Sequence, residues 1–388
     1  NIDIIINNGT FDFKKSFFKS IVTQCNHLKR NIRSEKDPQK KIKILSALIL
    51  SGMIFREYEE NYNIAIKELE KFVKSYFDID GFPLTRSPND LIFFTKYFLL
   101  CHESIKEAQQ YMPDFLSEII KKNFECINFF KTPNLQMPFF NGGSEISLIS
   151  FEKYLKDFKL NKKGKINMIG GIFYAKSRNQ IIYFDTSGPP AKNFSKNYQA
   201  GPLSFEYFLD GEKIITNCGF GQNIYTKAEL ISKLTAGQST LTINDTSVVK
   251  FERNKLINKI FGNSIKNTFK TDDLNIKKDK DLIGCSVSHN GYEKNFSCIH
   301  KREIYLDHEN IKIKGVDHIL KKSDGIPIRY VFRFHLNPQL KAVKTMSGNS
   351  ALIQISKNKS LIFTIKEEDI EIEKSIYLAG KKILDNTC

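Results

Sequence analysis

Residues 203–217 read LSFEYFLDGEKIITN, and this stretch predicts the fold of the second half of the chain. Two short runs rich in Phe, Tyr, Ile and Leu lie on either side of Asp210-Gly211, a dipeptide that favours the two-residue turn of a β-hairpin. We therefore expect two antiparallel strands, at 203–209 and 213–217.

The same pattern recurs on both sides of this hairpin from about residue 165 onward. Apolar and polar residues alternate in short runs, and the runs are separated by polar turns. The further predicted strands are 171–175, 180–185, 302–306, 311–316, 326–336, 351–356, 360–365 and 370–377. Many strands joined by turns predict an antiparallel β-sandwich or a related all-β domain.

The first third of the chain has a different periodicity. Apolar side chains are spaced three and four residues apart, which predicts amphipathic helices. The predicted helices are 11–33, 38–57, 61–76, 88–102 and 104–130, and Pro113 is expected to kink or split the last of them. Asp37-Pro38 and Ser87-Pro88 each combine a capping residue with proline at the first helical position. Helices of this length with short connections predict antiparallel helical hairpins.

These two patterns divide the chain into three parts. We expect a helical portion at 1–135, a linker at 136–164 that contains a short amphipathic helix at 148–158, and an antiparallel β-domain at 165–388. Helices followed by a run of strands indicate an α+β or two-domain architecture.

Composition excludes several classes of protein. With 41% hydrophobic and 26% charged residues in 388, the chain is not of the disordered class. No apolar run reaches the roughly 18 residues that a membrane span needs. The net charge of +16 is compatible with a polyanionic partner, and equally with A/T-rich codons that enrich Lys. Lys outnumbers Arg by about 50 to 9, which makes nucleic acid the weakest candidate partner.

Local motifs for metals, phosphates and nucleophiles are absent from the sequence. The seven Cys contain no CxxC pair, and no two of the seven His stand two or four residues apart, so no zinc motif is visible. The sequence also has no GxxxxGK[ST] phosphate loop and no GxSxG nucleophile elbow. Function therefore has to be inferred from longer segments.

Five segments together resemble the heparinase II/III family of polysaccharide lyases, in its bacterial branch of uncertain substrate. They are DGFPLTRSP at 80–88, NYQAGPLSFEYFLDGEKIITNCG at 197–219, TAGQSTLTIND at 235–245, HNGY at 289–292 and FRFHLNP at 332–338. The resemblance extends from about residue 40 to 380 and implies an (α/α) toroid followed by an antiparallel β-sandwich. About five helices cannot close such a ring, so we expect a partial toroid that lacks an N-terminal portion. The C-terminal end shows no clear structural stop, so the β-domain is also expected to be incomplete.

The resemblance implies an enzyme that cleaves a uronate-containing acidic polysaccharide by β-elimination. That reaction needs a group that neutralises the uronate carboxylate, a base that takes the ring proton and an acid that protonates the leaving oxygen. It implies no cofactor, although some family members hold a structural zinc, and it favours the periplasm or cell envelope. The alternative is a catalytically inactive relative that binds carbohydrate or takes part in envelope-polysaccharide assembly. An acidic polysaccharide, not nucleic acid, is the expected partner in both cases.

Seven residues are candidates for the site. The resemblance implies catalytic roles for Tyr198, Asn197 and Tyr292, and substrate contacts for Arg86, Asn141, Gln199 and His289. Some have an alternative interpretation: Arg86 can brace the helix that follows it, Asn141-Gly142 is an ordinary turn pair, and Tyr198 can serve packing alone. His289 is expected at the surface, at a strand end or in a hairpin turn, whereas His335 is expected in the interior.

The sequence departs from the family at every histidine position that can be placed. The lyases typically carry His-x-His-x-Asp where this chain has Asn197, Gln199 and Gly201, and a metal-binding Asp where it has Asn217. Gln238 replaces a further family histidine. Neutral amides bind zinc far more weakly than imidazole or carboxylate, so no metal site is expected. We expect Gln199, Asn217 and Gln238 to satisfy one another by hydrogen bonds instead.

Overall fold

The computed structural model describes Ile4 and residues 7–55, 58–157, 167–254, 256–258, 262–322, 329–366 and 368–388. The chain divides into two compact units. The helical unit comprises residues 1–81 and 92–123, and the sheet unit comprises residues 82–91 and 124–388. Residues 82–91, which carry Arg86, therefore belong with the strands.

The helices of the first third follow the predicted periodicity. They are α1 (Phe11–Asn31), α2 (Pro38–Ile54), α3 (Glu59–Tyr76), α4 (Pro88–Glu107) and α5 (Asp114–Phe130). Asp37 caps α2, because its carboxylate accepts hydrogen bonds from two backbone N–H groups of the first turn, and Pro38 stands where no N–H is needed. The chain splits at Pro113, one of the two predicted outcomes: residues 104–107 continue α4, and α5 begins directly after the proline.

The helical unit buries an apolar core of its own. Leu45, Leu48 and Ile49 of α2 are fully buried, and the rings of Phe72 and Phe94 lie 5.6 Å apart between α3 and α4. Side chains spaced three and four apart share one face of a helix, which is why the periodic pattern identified these positions. Among the described helices, none combines the length and apolar character that crossing a bilayer requires.

The sheet unit is built from antiparallel strands. The hairpin predicted at Asp210-Gly211 is confirmed, since both residues have positive φ (54° and 84°), as a type I′ turn requires. The strands are β1 (Met168–Ile169), β2 (Ile172–Ser177), β3 (Gln180–Asp185), β4 (Phe205–Leu209), β5 (Glu212–Ile215), β6 (Leu241–Ile243), β7 (Thr271–Lys278), β8 (Leu282–His289), β9 (Cys298–Asp307), β10 (Lys312–Lys321), β11 (Tyr330–Phe332), β12 (Lys341–Lys344), β13 (Ser350–Ser356), β14 (Lys359–Thr364), β15 (Lys374–Tyr377) and β16 (Leu384–Thr387).

These strands form a five-stranded sheet in the order β1-β2-β3-β4-β5 and a four-stranded sheet in the order β10-β9-β8-β7. Smaller sheets pair β12-β13-β14, β11-β6 and β15-β16. One buried cluster contains Phe173 and Ile182 from the first sheet together with Val287 and Ile304 from the second, so the two sheets share a core. The predicted combination of helices and antiparallel sheets is confirmed at this level, while the toroid and the sandwich stay predictions.

Several strands differ from the sequence prediction. β7 and β8 were not predicted, because β7 is charged and exposed and β8 is buried on both faces, so neither shows the alternation of a half-buried strand. The strand predicted at 326–336 is limited to Tyr330–Phe332, and 323–328 lie outside the described residues. The helix predicted at 148–158 consists of a single 3₁₀ turn (Ile149–Phe151) and α6 (Glu152–Asp157), and residue 158 is not described.

Candidate functional site

Arg86 lies in a buried set of hydrogen bonds within the sheet unit. Its guanidinium donates to the carbonyl oxygens of Gly170 (2.7 Å), Gly171 (3.2 Å) and Gly188 (2.7 Å), and to the Asp185 carboxylate (2.5 Å). All three guanidinium nitrogens therefore have protein acceptors. Arg86 holds the turn before β2 and the loop after β3 to each other, and its contact with a substrate stays a prediction.

The acidic partner of Arg86 is Asp185 at the end of β3. Burial raises the pKa of the Asp185 carboxyl, and the adjacent guanidinium acts in the opposite direction. The carboxylate also accepts a hydrogen bond from the backbone N–H of Ser187 (3.3 Å). Arg86 and Asp185 thus form a buried ion pair, and both side chains also form hydrogen bonds with nearby backbone groups.

Two asparagines lie near Arg86. The Asn141 side chain donates to the Arg86 carbonyl oxygen (3.0 Å), and Asn141 and Gly142 both have positive φ (49° and 91°), so they form a turn. A Cβ placed on Gly142 would lie only 3.0 Å from the Cβ of Asn197. The close approach of these two segments depends on the missing side chain of Gly142, and it brings Arg86, Asn141 and Asn197 into one region.

Tyr198, the residue after Asn197, is deeply buried. It is 1% exposed, and its phenolic oxygen has no hydrogen-bond partner in the described part of the chain. The Asn197 side-chain oxygen is likewise buried and without a hydrogen-bond partner among those residues. Burial raises the pKa of the Tyr198 phenol far above its usual value, and the neighbouring Asp185 charge adds to the rise. The phenol is therefore protonated at neutral pH.

Three amides stand at the positions where the resemblance implied metal ligands, and we call them the amide cluster: Gln199, Asn217 and Gln238. Gln199 accepts from the Gly142 N–H (3.1 Å) and donates to two carbonyl oxygens, and Asn217 accepts from the Ser239 N–H (3.0 Å). Asn217 also donates to a carbonyl oxygen, as does Gln238. The expectation that these amides would bond one another is wrong, because the hydrogen bonds that the Gln199 and Asn217 side chains form in the described chain all go to backbone groups. Through main-chain groups the cluster links the segments 139–142, 217–219 and 232–239.

Zinc does not fit the amide cluster. The Gln199 and Asn217 oxygens already accept backbone N–H groups, and Gln238 directs its nitrogen toward carbonyl oxygens. Amide nitrogens that donate cannot coordinate a cation. Across the described ranges, no three His, Cys, Asp or Glu residues are grouped so that they could hold a metal ion.

His289 and Tyr292 lie in a second group on the four-stranded sheet. The Tyr292 hydroxyl donates to the Leu241 carbonyl oxygen (2.9 Å), and burial raises the pKa of this phenol above its usual value. The surface position expected for His289 is wrong, since this residue is 1% exposed. His289 nevertheless ends β8, as the sequence indicated. The motif HNGY identified the end of a strand, but it could not show that His289 pairs with His300 of the neighbouring strand β9.

Three residues beside His289 were missed by the sequence analysis: His300 and Arg302 on β9, and Asp317 on β10. The His300 ring contacts the His289 ring across β8 and β9 (3.3 Å), and it also contacts the Asp317 carboxylate (2.7 Å). Arg302 pairs with the same carboxylate (2.7 Å). The i, i+2 spacing of His300 and Arg302 was a usable signal that both point to one face of a strand. Their acidic partner on β10 was not identifiable without the register of the two strands.

The comparison with solved structures agrees with this arrangement of helices and sheets. The structure of a heparan sulfate lyase, HepC, from Pedobacter heparinus is similar to this chain with a TM-score of 0.71 and 15% sequence identity. The similar region covers 97% of this chain and 60% of the HepC chain. A heparinase III has 15% identity and a TM-score of 0.75, with 100% of this chain and 64% of that chain covered. At this level of identity the similarity shows the fold.

Among curated proteins, FtsZ-localized protein C of Caulobacter vibrioides (strain NA1000 / CB15N) is 23% identical over 356 residues. The match covers 86% of this chain and 58% of that protein. The chain therefore spans about three-fifths of the length of the relatives it matches. The model of the heparinase II/III-like C-terminal family matches residues 169–387, which contain the amide cluster and the strands β2–β16. Since that match covers more than half of the sequence, the chain belongs to the heparinase II/III-like family.

Proposed function

We propose that this chain binds an acidic polysaccharide without cleaving it. The observation that carries the proposal is the state of the groups expected to move protons. Two of them, the phenols of Tyr198 and Tyr292, are buried with raised pKa values. The ring of His289, which was expected to contact substrate, is also buried, and its pKa is lowered. A protonated phenol cannot accept the ring proton of a uronate, and an amide such as Asn197 does not titrate in the working range of an enzyme.

Burial of the same groups argues against direct contact with a sugar. Tyr198, Tyr292 and His289 are each 1% exposed, so no ring atom of a bound polysaccharide reaches them in this conformation. The hydroxyl of Tyr292 and both nitrogens of His289 are engaged with protein groups. General acid–base catalysis needs the catalytic group within hydrogen-bond reach of the substrate.

Binding is supported by charge near the segment that carries Asn197. Lys192 and Lys196 are exposed on this segment, and the chain has a net charge of +16. A uronate polymer carries a carboxylate on each uronic acid, so a lysine-rich surface attracts it at low salt and less at high salt. The substrate class named for the structurally similar lyases is the reason for testing heparan sulfate first.

The test is a paired measurement of cleavage and binding on heparan sulfate, hyaluronan, alginate and a neutral glucan. Cleavage is followed by the ultraviolet absorbance of the unsaturated uronate, and binding is followed by affinity electrophoresis at two salt concentrations. We expect retardation by at least one acidic polymer, none by the neutral glucan, and no rise in absorbance. A rise in absorbance, or no binding to any acidic polymer, would contradict the proposal.

A charge-matched pair of variants locates the binding surface. The first variant, Lys192→Glu with Lys196→Glu, reverses two charges beside Asn197. The second variant, Lys357→Glu with Lys366→Glu, reverses one exposed charge between β13 and β14 and one after β14. Both variants have the same net charge. We expect the first to weaken binding about 10-fold, because exposed ionic contacts are worth up to about 1 kcal/mol each, and the second to leave it nearly unchanged.

A second candidate function is β-elimination by a set of residues that differs from the family's. It is favoured by one observation, the adjacent buried oxygens of Asn197 and Tyr198 that have no hydrogen-bond partner among the described residues. An unsatisfied buried polar group is costly, and such groups occur at functional sites. If the absorbance assay is positive, Tyr198→Phe shows whether Tyr198 takes part in the reaction. The variant abolishes cleavage only if this phenol transfers a proton.

A further inference from the structure

Arg302 connects the two segments that carry Gln199 and Gln238. One of its terminal nitrogens donates both to the Leu203 carbonyl oxygen (2.9 Å) and to the Ser239 carbonyl oxygen (2.9 Å). Arg302 is 1% exposed, and its guanidinium lies between the rings of Phe205 and Phe334. These bonds fix the positions of the segments 199–205 and 238–241 relative to β9.

Asp317 orients this guanidinium. It stands directly opposite Arg302 in the register of β9 and β10, and its two oxygens accept from Nε (2.7 Å) and Nη2 (3.1 Å). A bidentate pair of this kind fixes the plane of the guanidinium, so the bonds to the two segments depend on Asp317. Asp317 also accepts from the His300 ring (2.7 Å), and His300 contacts His289 (3.3 Å). We call Arg302, Asp317, His300 and His289 the clasp.

The hydrogen bonds of the clasp assign one neutral tautomer to each histidine. The Gly291 N–H donates to Nδ1 of His289 (3.1 Å), so His289 carries its proton on Nε2 and donates it to Nδ1 of His300. His300 in turn carries its proton on Nε2 and donates it to Asp317. Every ring nitrogen has one role, and no nitrogen is left to take a second proton.

A second proton on either ring therefore removes a hydrogen bond. On His300 it would stand on Nδ1, facing the N–H of His289, and on His289 it would stand on Nδ1, facing the N–H of Gly291. Two donors facing each other in a buried site are strongly unfavourable. Burial lowers the pKa of both histidines; the charge of Arg302 lowers them further, whereas Asp317 favours protonation of His300.

The other polar groups near the rings do not change this conclusion. His318 on β10 also lowers the pKa of His300, and the Tyr292 ring lies against His289 at 5.8 Å with its hydroxyl bound to a backbone carbonyl. Among the groups named here, only the Asp317 carboxylate favours the charged imidazole, and it already accepts from Arg302.

We propose that the clasp opens in acid, and that its opening frees the segments 199–205 and 238–241 from β9. In the closed state both histidines stay neutral, whereas in the opened state they titrate near their ordinary pKa of about 6.5. The stability that the two neutral histidines give to the closed state is thus fully present above pH 6.5, and it is lost as the pH falls below that value. Each histidine contributes up to about a 10-fold rise in the opening equilibrium per pH unit below 6.5. The device does not depend on which ligand the site binds.

The test is hydrogen exchange of backbone amides at pH 7 and pH 5, read by mass spectrometry and corrected for the intrinsic rate at each pH. For the peptides that cover 199–205 and 238–241, we expect the equilibrium constant for opening to be at least 10-fold higher at pH 5 than at pH 7. Peptides from β12–β14, whose described residues form no hydrogen bond with the clasp, serve as the internal reference. Equal protection of 199–205 at the two pH values, or the same loss in the reference peptides, would overturn the proposal.

His289→Gln and His300→Gln keep one acceptor and one donor at each position but cannot titrate. We expect both variants together to remove most of the pH dependence at 199–205, while His318→Gln, on the exposed side of β10, retains it. An unchanged pH dependence in the double variant would also overturn the proposal. If the double variant does not fold, the comparison of wild-type peptides still decides, because global unfolding would expose the reference peptides equally.

His335 requires a separate control. Its Nε2–H donates to the Ala236 carbonyl oxygen (2.9 Å), and the ring is buried, so a charge on the ring also destabilises the packing around the segment that contains Gln238. In the described part of the chain, His335 forms no hydrogen bond with residues 199–205. His335→Gln is therefore expected to reduce the pH dependence at 235–240 and to leave that of 199–205 in place.

Discussion

Gln199 and Gln238 donate to the same backbone oxygen, the carbonyl of Ser232, each at 2.9 Å. Two side chains at positions where the resemblance implied metal ligands thus converge on one main-chain acceptor. A carbonyl oxygen has two lone pairs and can accept both bonds. The convergence links the two segments through a backbone group, and it makes the amide cluster a structural element of the sheet unit.

The first prediction concerns the stability that this cluster supplies. Gln199→Met keeps the length of the side chain, but it leaves the Gly142 N–H without its acceptor and the Gly219 carbonyl with only the weak thiol donor of Cys218. Unpaired buried groups cost about 1–3 kcal/mol each, so we expect the free energy of unfolding to fall by about 3 kcal/mol. Urea denaturation measures the change. Gln354→Met, at an exposed position on β13, is the control and should change stability by less than about 0.5 kcal/mol.

The amides show what the sequence could and could not predict. The resemblance to the family predicted that Gln199 and Gln238 replace histidines and that Asn217 replaces an aspartate, and no metal site was expected for that reason. The acceptors were not, because Gly219 and Ser232 become neighbours of Gln199 only through the fold. Local patterns report which side chains are polar, whereas their partners depend on contacts between distant segments.

The second prediction concerns the buried pair of Arg86 and Asp185. Arg86→Met leaves a buried carboxylate without its counter-charge and several carbonyl oxygens without a donor. We expect a loss of about 3–5 kcal/mol in the free energy of unfolding. Lys29→Met removes an exposed ion pair with Glu60 and is expected to cost less than about 1 kcal/mol. Similar losses in the two variants would show that the Arg86 pair is not the cross-link described here.

Secondary structure was predicted best where one face of an element is buried. The helices α1–α5 and the hairpin at Asp210-Gly211 carry clear periodic or turn signals, and both were found. β8 is buried along seven of its eight residues, so its sequence lacks an alternating pattern. His289 of the clasp ends that strand. Arg302 and Asp317 were not recognised as partners because the register of β9 and β10 could not be read from the sequence.

The third prediction separates the two buried tyrosines near the site. Tyr198→Phe removes an oxygen that has no hydrogen-bond partner in the described chain, so stability should stay the same or rise by up to about 1 kcal/mol. Tyr292→Phe removes the bond to the Leu241 carbonyl and should cost about 0.5–1.5 kcal/mol. Thermal unfolding at pH 7 compares the pair. A marked loss of stability in Tyr198→Phe would mean that its hydroxyl has a partner, such as an ordered water.

The fourth prediction concerns pH and His335, whose expected interior position is confirmed by its 2% exposure. Its ring contacts the Ala236 carbonyl oxygen and the Ser375 hydroxyl. Burial lowers the pKa of this ring to about 4 and so keeps it neutral, although the bond to Ala236 acts in the opposite direction. An unfolded histidine titrates near 6.5, so the stability due to the neutral ring is complete above that pH and is lost as pH falls toward 4. Between pH 7 and pH 5 this residue should account for about 2 kcal/mol of lost stability.

Urea denaturation at both pH values, in the wild type and in His335→Gln, measures the contribution of this ring. The glutamine can still donate to Ala236 and accept from Ser375, so we expect a small change at pH 7 and a fall toward pH 5 that is smaller than in the wild type by about 2 kcal/mol. His318→Gln is the matched control, because it removes an imidazole that is 44% exposed. If His335→Gln loses as much stability toward pH 5 as the wild type does, burial does not keep this ring neutral. The acid sensitivity of the sheet unit would then rest on His289 and His300, which the exchange measurement on residues 199–205 tests independently.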